Sequence, residues 1–312
     1  MFFKDLLFVG VCIASAITST AALTKGHDLS SVGIMEASEG AKWISTAGKT
    51  TTIESILGGG GMDSVRLRRL QLDVHSAMAK RFSKAGYKIY LDMHFSDTWA
   101  DPTKQGTPKG WDSTSITTLS TAVKAYVTST LRTFTSAGVN IDILSLGNEV
   151  TYGMLWPSGR VSNGDYSEFA TLWKAARQGV TAAAAAGTKK PKVMIHIDNG
   201  WRYSSVSAFF KGLFATVIIA NTYKKPIYIA ETDWPTQCTK VTLSASYPAN
   251  ASGQRQWVAA IMSVLNGLSN GLGAGIFYWE PASCESALLF SANWASWPTT
   301  YATALSSVYM YA

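Results

Sequence analysis

Seven short apolar, β-rich runs alternate with longer helical patterns along this chain, and few architectures accept that alternation. It indicates parallel strands, each covered by the helix that follows it. Strands are expected near 26–29, 64–68, 88–94, 142–147, 192–196, 226–231 and 274–279. Helices are expected near 52–57, 75–85, 116–137, 167–186, 254–268 and 300–306. A closed β/α barrel has eight units in roughly 250 residues, about 31 per unit. The 35 residues from His196 to Glu231 have room for one unit, with a helix near 206–220. If those two residues end the fifth and seventh strands, one whole unit is missing. No internal repeat, linker or second domain interrupts the pattern, so residues 22–312 are expected to form one β/α-barrel domain.

Two of the runs end in glutamate. Ile143-Leu144-Ser145-Leu146-Gly147 leads into Asn148-Glu149, and Ile227-Tyr228-Ile229-Ala230 leads into Glu231. In a parallel barrel the carboxyl ends of the strands carry the chemistry. Two carboxylates facing one cleft there are the equipment of a glycoside hydrolase, and in the retaining mechanism they stand about 5–5.5 Å apart. A helix N-terminus satisfied by Glu149 is the structural alternative. Asn148 is placed to donate a hydrogen bond to a sugar hydroxyl.

The chain begins with a leader-like segment. Lys4 supplies a positive charge, residues 6–17 are apolar, and Ser19 and Ala21 are small, which puts cleavage between Ala21 and Ala22. The apolar run is too short to span a membrane comfortably, so a secreted, extracellular product is expected. Removing residues 1–21 takes away Lys4, Asp5 and Cys12, leaving the net charge at +7 and two cysteines, Cys238 and Cys284. An even pair in an oxidising compartment predicts one disulfide, with two free thiols as the alternative. Asn250-Ala251-Ser252 is a glycosylation sequon.

The positive balance is dispersed, with Arg66, Arg68 and Arg69 its densest cluster. No basic block points to nucleic acid, and no zinc, P-loop or dinucleotide fingerprint points to a metal or cofactor. Gly58 to Gly61 follows a helix end and reads as a flexible cap rather than a phosphate cradle. His94 follows a strand, where it can hold the nucleophile region by hydrogen bonding or simply pack at the rim. Trp99, Trp111, Trp156, Trp201, Trp234 and Trp279 fall in loops or strand ends, where indoles suit the apolar faces of sugars, although some must be core. Arg66 and Arg68 share one strand face by the two-residue period.

Taken together these segments resemble the endo-β-1,4-galactanases of glycoside hydrolase family 53, in its fungal branch. The resemblance is carried by Lys25-Gly26-His27-Asp28-Leu29-Ser30-Ser31, Ser64-Val65-Arg66-Leu67-Arg68 and Asp92-Met93-His94-Phe95-Ser96-Asp97-Thr98-Trp99-Ala100-Asp101-Pro102. Leu146-Gly147-Asn148-Glu149, Gly153-Met154-Leu155-Trp156-Pro157 and Met194-Ile195-His196-Ile197-Asp198-Asn199-Gly200-Trp201 continue it. Ala230-Glu231-Thr232-Asp233-Trp234-Pro235 and Phe277-Tyr278-Trp279-Glu280-Pro281 complete it. The resemblance implies a TIM-type (β/α)8 barrel, with Glu149 as acid/base and Glu231 as nucleophile. It implies that Arg66, His94, Trp99, Asn148, Asp198 and Trp279 meet the polysaccharide. It also implies a disulfide between Cys238 and Cys284 in place of a calcium site, hence no metal or cofactor. A monomer acting on β-1,4-galactan, with neither nucleic acid nor membrane as partner, is the expectation.

Two departures from the family pattern stand out. After Arg68, Arg69-Leu70-Gln71-Leu72 runs almost directly into a helix, so the second unit is shortened. The sixth strand and its motif, with a tyrosine that orients the nucleophile in this clan, are absent between Phe214 and Thr222. The barrel is therefore expected to be incomplete. That opens two other readings: a relative that binds wall polysaccharide without cutting it, and an incomplete gene product.

Overall fold

A computed structural model describes residues 22–69, 72–199, 209, 225–237, 243, 245–268, 271–282, 288–293 and 299–312. The expected leader, the helix near 206–220, Trp201, Cys238 and Cys284 lie outside the described residues. Seven parallel strands form a curled sheet. In chain order the elements are β1 (Thr24–Asp28), α1 (Val32–Ser38), β2 (Ala41–Ile44), β3 (Thr50–Thr51), α2 (Ile53–Gly59) and β4 (Ser64–Arg69). Then come α3 (Leu72–Lys84), β5 (Lys88–Met93), α4 (Ile116–Ser136), β6 (Ile143–Leu146), α5 (Ser167–Ala185), β7 (Lys192–Met194) and β8 (Ile227–Thr232). The chain closes with α6 (Ala251–Asn266), β9 (Gly273–Tyr278), β10 (Phe290–Ser291) and β11 (Thr300–Ala304).

The order in the large sheet is β7-β6-β5-β4-β1-β9-β8. Each neighbour is the one a barrel requires, and among the described residues the ring stays open between β7 and β8. These are the seven strands expected from the sequence, and the opening falls where the sixth unit was found wanting. The buried runs explain the parallel arrangement: β5 is buried at five of its six positions and β6 at all four, as strands covered on both faces must be. The helices carry their own start signals. Ser115 caps α4 by accepting from the Thr118 amide, Thr52 caps α2 through the Ser55 amide, and Asn250 caps α6 through the Gly253 amide. Helix α3 begins at Leu72, three residues past the end of β4, as the shortened second unit predicts. No helix among the described residues is long and apolar enough to cross a membrane.

One sequence expectation is corrected. Residues 300–306 are expected as a helix, but 300–304 form strand β11, which pairs in parallel with β2 in a separate four-stranded sheet ordered β10-β11-β2-β3. Its burial alternates strictly, with Thr300, Ala302 and Ala304 inside and Tyr301 and Thr303 outside. That period of two, with its β-branched and aromatic residues, suits a strand better than a helix. The glycine run at 58–61 does cap α2, but through close packing rather than flexibility: a Cβ on Gly60 would lie 1.7 Å from the Val308 carbonyl oxygen. That contact seats the C-terminal turn, where the Tyr311 hydroxyl donates to the Gly26 carbonyl at 2.7 Å.

Candidate active site

Arg66 stands at the centre of the carboxyl-end cleft and is wholly buried. It projects from β4. Its Nη1 donates to Asp28 Oδ2 of β1 at 2.7 Å, and its Nη2 donates to Asp92 Oδ2 of β5 and Glu231 Oε1 of β8, each at 2.5 Å. Nη2 also reaches Asn148 Oδ1 just past β6, at 3.1 Å. A buried guanidinium gripped by carboxylates from three strands is an ion cluster that no pairwise removal leaves intact. Burial alone would weaken the Arg66 proton, but the charges of Glu231, Asp92 and Asp28 outweigh it and raise its pKa. Asp92 and Asp28 shift the other way. Their burial opposes ionisation, and the neighbouring arginines overcome it, so both pKa values fall below the usual carboxylate range.

Glu149 sits beyond β6 in left-handed backbone, φ 46°, after Gly147 at φ 101°. This turn lifts the carboxylate off the strand, and Gly147 is required in it because a Cβ there would come within 2.4 Å of Val150. Glu149 is half-buried, and desolvation followed by repulsion from Glu231 pushes its pKa up to about 7. Glu231 is instead held by a charge-assisted hydrogen bond from Arg66. Two carboxyl groups in one cleft with such different surroundings are suited to different roles.

The remaining expected residues are distributed unevenly. Asn148 is locked, with its Nδ2 donating to the Ala100 carbonyl at 2.8 Å. Trp99 and Trp279 meet edge to face at 5.8 Å between ring centres. The Arg68 guanidinium lies 4.2 Å from the centre of Trp99 and 4.3 Å from that of Trp279, and Arg68 is also paired with Glu280. Asp198 is tied to the Thr151 hydroxyl, next to the turn that bears Glu149. His94 does not reach Glu231: its Nδ1 accepts from the Ala100 amide at 3.2 Å, and its ring meets Trp99 edge to face. Burial lowers its pKa to about 4, so it is neutral near pH 7. Among the other tryptophans, Trp234 is core, packed against Trp257 with Nε1 bonded to the Pro248 carbonyl.

His196 is the histidine beside Glu231, and nothing in its motif assigned it a role. Its Nδ1 lies 3.2 Å from Asp92 Oδ2 and its Nε2 3.9 Å from Glu231 Oε1. Burial would lower its pKa, but the bond to Asp92 and the charge of Glu231 prevail and raise it. Asp92, His196 and Glu231 each place one ligand atom within 4.8 Å of the others, a composition that can hold a metal ion. The same two carboxylates are already bridged by Arg66 Nη2 at 2.5 Å, so a guanidinium fills the cationic place and the residues do not fit a metal. Tyr90 completes the floor, its hydroxyl 2.7 Å from Ser145 Oγ.

Known proteins resemble this chain over most of its length. The sequence profile described as Glycosyl hydrolase family 53 matches residues 24–218 and 214–310. Its two stretches meet at residues 214–218, between the strands β7 and β8 that flank the opening. The chain is 35% identical over 324 positions to the arabinogalactan endo-beta-1,4-galactanase A of Aspergillus niger, covering 89% of this chain and 91% of that protein. It is 33% identical over 331 positions to a probable arabinogalactan endo-beta-1,4-galactanase A of Neosartorya fischeri, covering 91% and 90%. Both alignments exceed the 312 residues of this chain, so these relatives carry segments it lacks. A solved structure from a study of two fungal beta-1,4-galactanases superposes with a TM-score of 0.82 at 30% identity, covering 93% of this chain and 99% of that one. The Ignisphaera aggregans GH53 catalytic domain shares the fold, with a TM-score of 0.73 at 22% identity over 93% and 95% of the two chains.

Proposed function

This chain belongs to glycosyl hydrolase family 53 and is a glycoside hydrolase, and from that premise we propose that it is a secreted, retaining arabinogalactan endo-β-1,4-galactanase. Its substrate is the β-1,4-linked galactan of arabinogalactan and of pectin side chains. The asymmetry between Glu149 and Glu231 carries the reading. Glu149, with its pKa pushed up to about 7, keeps its proton at mildly acidic pH and delivers it to the departing glycosidic oxygen. Glu231, aimed by Arg66, attacks the anomeric carbon and forms the glycosyl–enzyme bond as the leaving chain departs. Glu149, now ionised, takes a proton from water, which attacks the same carbon and releases Glu231.

The other residues serve binding. Asn148, pinned by Ala100 and Arg66, is placed for the sugar hydroxyl beside the reacting carbon. Trp279 and Trp99 offer ring surface to the sugars, Arg66 and His94 shape the floor beneath them, and Asp198 stands at the rim. Residues 1–21 act as the export signal of the single domain 22–312, whose relatives' names make a polysaccharide its partner. Asn250, exposed at the cap of α6, is the glycosylation site, and Cys238 with Cys284 forms the disulfide. The protein works as a monomer.

Release of short oligosaccharides from linear β-1,4-galactan, with xylan, mannan and cellulose left intact, tests the substrate class. The first products, followed by proton NMR, should keep the β configuration at the new reducing end. Initial α products, or equal cleavage of xylan, would overturn the reading.

A further inference from the structure

Away from the cleft, helices α1, α2 and α3 and the strand pair β2–β3 border a hollow of about 330 Å³. Its volume falls within the roughly 300–1,000 Å³ of small-molecule sites. Tyr87 fixes its level in the fold. That residue immediately precedes β5, at the amino ends of the parallel strands, and its hydroxyl donates to the Glu54 carbonyl at 2.6 Å. Glu54 lines the hollow. Glu149 and Glu231 stand at the carboxyl ends, so a ligand held here is outside the catalytic cleft.

An ion triad builds the wall. Arg81 of α3 lies between Glu36 of α1 and Glu54 of α2. Its Nη1 and Nη2 donate to Glu36 Oε2 and Oε1 at 2.5 and 3.1 Å. Its Nε and Nη2 donate to Glu54 Oε1 and Oε2 at 2.9 and 2.6 Å. Trp43, 3% exposed, adds a bond from Nε1 to Glu36 Oε1 at 2.7 Å, and its ring is braced edge to face on Phe290. These planar groups hold one another in fixed orientation. Thr51 stands opposite Trp43 in the β2–β3 ladder, on the same face of the sheet, and is exposed at the rim.

The charges decide what such a hollow can take. Its lining carries Glu36, Glu54, Arg81 and Lys42, two of each sign, so neither an anion nor a cation gains by entering. Arg81 occupies the place between the carboxylates that a metal would need, and the carboxylates neutralise the guanidinium that a phosphate would seek. Hydrogen-bonding capacity remains: further lone pairs on the carboxylate oxygens, a second N–H on Arg81 Nη1 and the Thr51 hydroxyl. Fixed donors and acceptors in a neutral setting match a neutral molecule whose hydroxyls serve as both, which is a sugar. We propose that this hollow is a second carbohydrate site, remote from the cleft, which holds a sugar residue of the polysaccharide and tethers the enzyme to it. The proposal rests on the galactanase reading above, which makes that polysaccharide β-1,4-galactan.

A polymer held at two places on one molecule gains from effective concentration. The test is retardation of the Glu231→Gln protein in native gels loaded with long β-1,4-galactan. Adding Thr51→Phe, which fills the hollow from an exposed position, should weaken retention roughly tenfold. Thr51→Val keeps the shape and loses the hydroxyl, and it should weaken retention roughly fivefold, the worth of one hydrogen bond. With Glu231 restored, Thr51→Phe should raise KM on galactan and leave kcat unchanged. Hydrolysis of 4-nitrophenyl β-1,4-galactobioside, which is short enough to need the cleft alone, should not change. Undiminished retention with Thr51→Val, or an equal loss of kcat/KM on galactan and on the aryl galactobioside, would overturn the proposal. Thr51→Val decides even where Thr51→Phe fails to fold. An unmutated chain that cleaves neither substrate would count against the galactanase reading instead, while the gel comparison would still judge the second site.

Discussion

Arg66 sets the electrostatics of the site, because three strands and the Asn148 turn all send an acceptor to one guanidinium. Lysine keeps the charge but cannot span such a fork. Arg66→Lys is therefore expected to cost about 3 kcal/mol or more in urea unfolding, since it strands buried carboxylates. Hydrolysis should fall roughly 100-fold as Glu231 loses its alignment. Near-parental stability and turnover would refute that role. Glu149 predicts a pH dependence. The acid must be protonated, so kcat/KM on galactan should decline with a midpoint near pH 7, where its pKa lies. Its folded value is above the ordinary 4.5, so the stability it contributes is fully present at low pH and lost as pH rises through about 7. A rate that keeps climbing into alkaline solution would contradict the assignment. Glu149, Glu231, Arg66 and Asn148 were legible in the sequence because each sits at a strand end inside a motif. Gln105, whose Nε2 donates to the Asn148 carbonyl at 2.8 Å, was not, since a buried amide bridging two loops has no local signature. His94 was read for a part that His196 is placed to take, because both follow strands and only the packing tells them apart.

The open seam is the principal fact at the level of elements. β8 has one partner, β9, and β7 has one, β6, among the described residues, whereas β4 and β5 are paired on both sides. Ile227 at the start of β8 is 44% exposed, unlike any described position of β6. Native-state amide exchange should therefore find β7 and β8 least protected in the large sheet and β4 and β5 most. Uniform protection across the seven strands would mean that the seam is closed in solution. The seven barrel strands could be read from their apolar runs, which are long and bounded by helices. The four-stranded sheet could not. β3 and β10 have two residues each, too few for any period to show, and β11 was hidden in a stretch of Thr, Tyr and Ala that suits either state. Helix α1, of seven residues, was missed as well, because it has neither the side-chain cap nor the acidic first turn that mark α2.

At the scale of the molecule, the barrel is one strand short of a closed ring among the described residues and still brings Glu149 and Glu231 into one cleft around Arg66. The reason lies in the pairing. Glu149, Asp92 and Arg66 are borne on the consecutive strands β6, β5 and β4, and Glu231 on β8 is reached the other way round, through β9 and β1. The continuous side of the ring assembles the site, and the seam lies on the opposite arc. The seven strands among the described residues are thus expected to suffice for the chemistry. Reducing-end release from linear β-1,4-galactan by the purified protein, with its Glu231→Gln variant as the blank, tests this most directly. Steady release by the parent is expected, with none above background by the variant. Folded, soluble parent protein that binds galactan but releases no more reducing ends than the variant would contradict it.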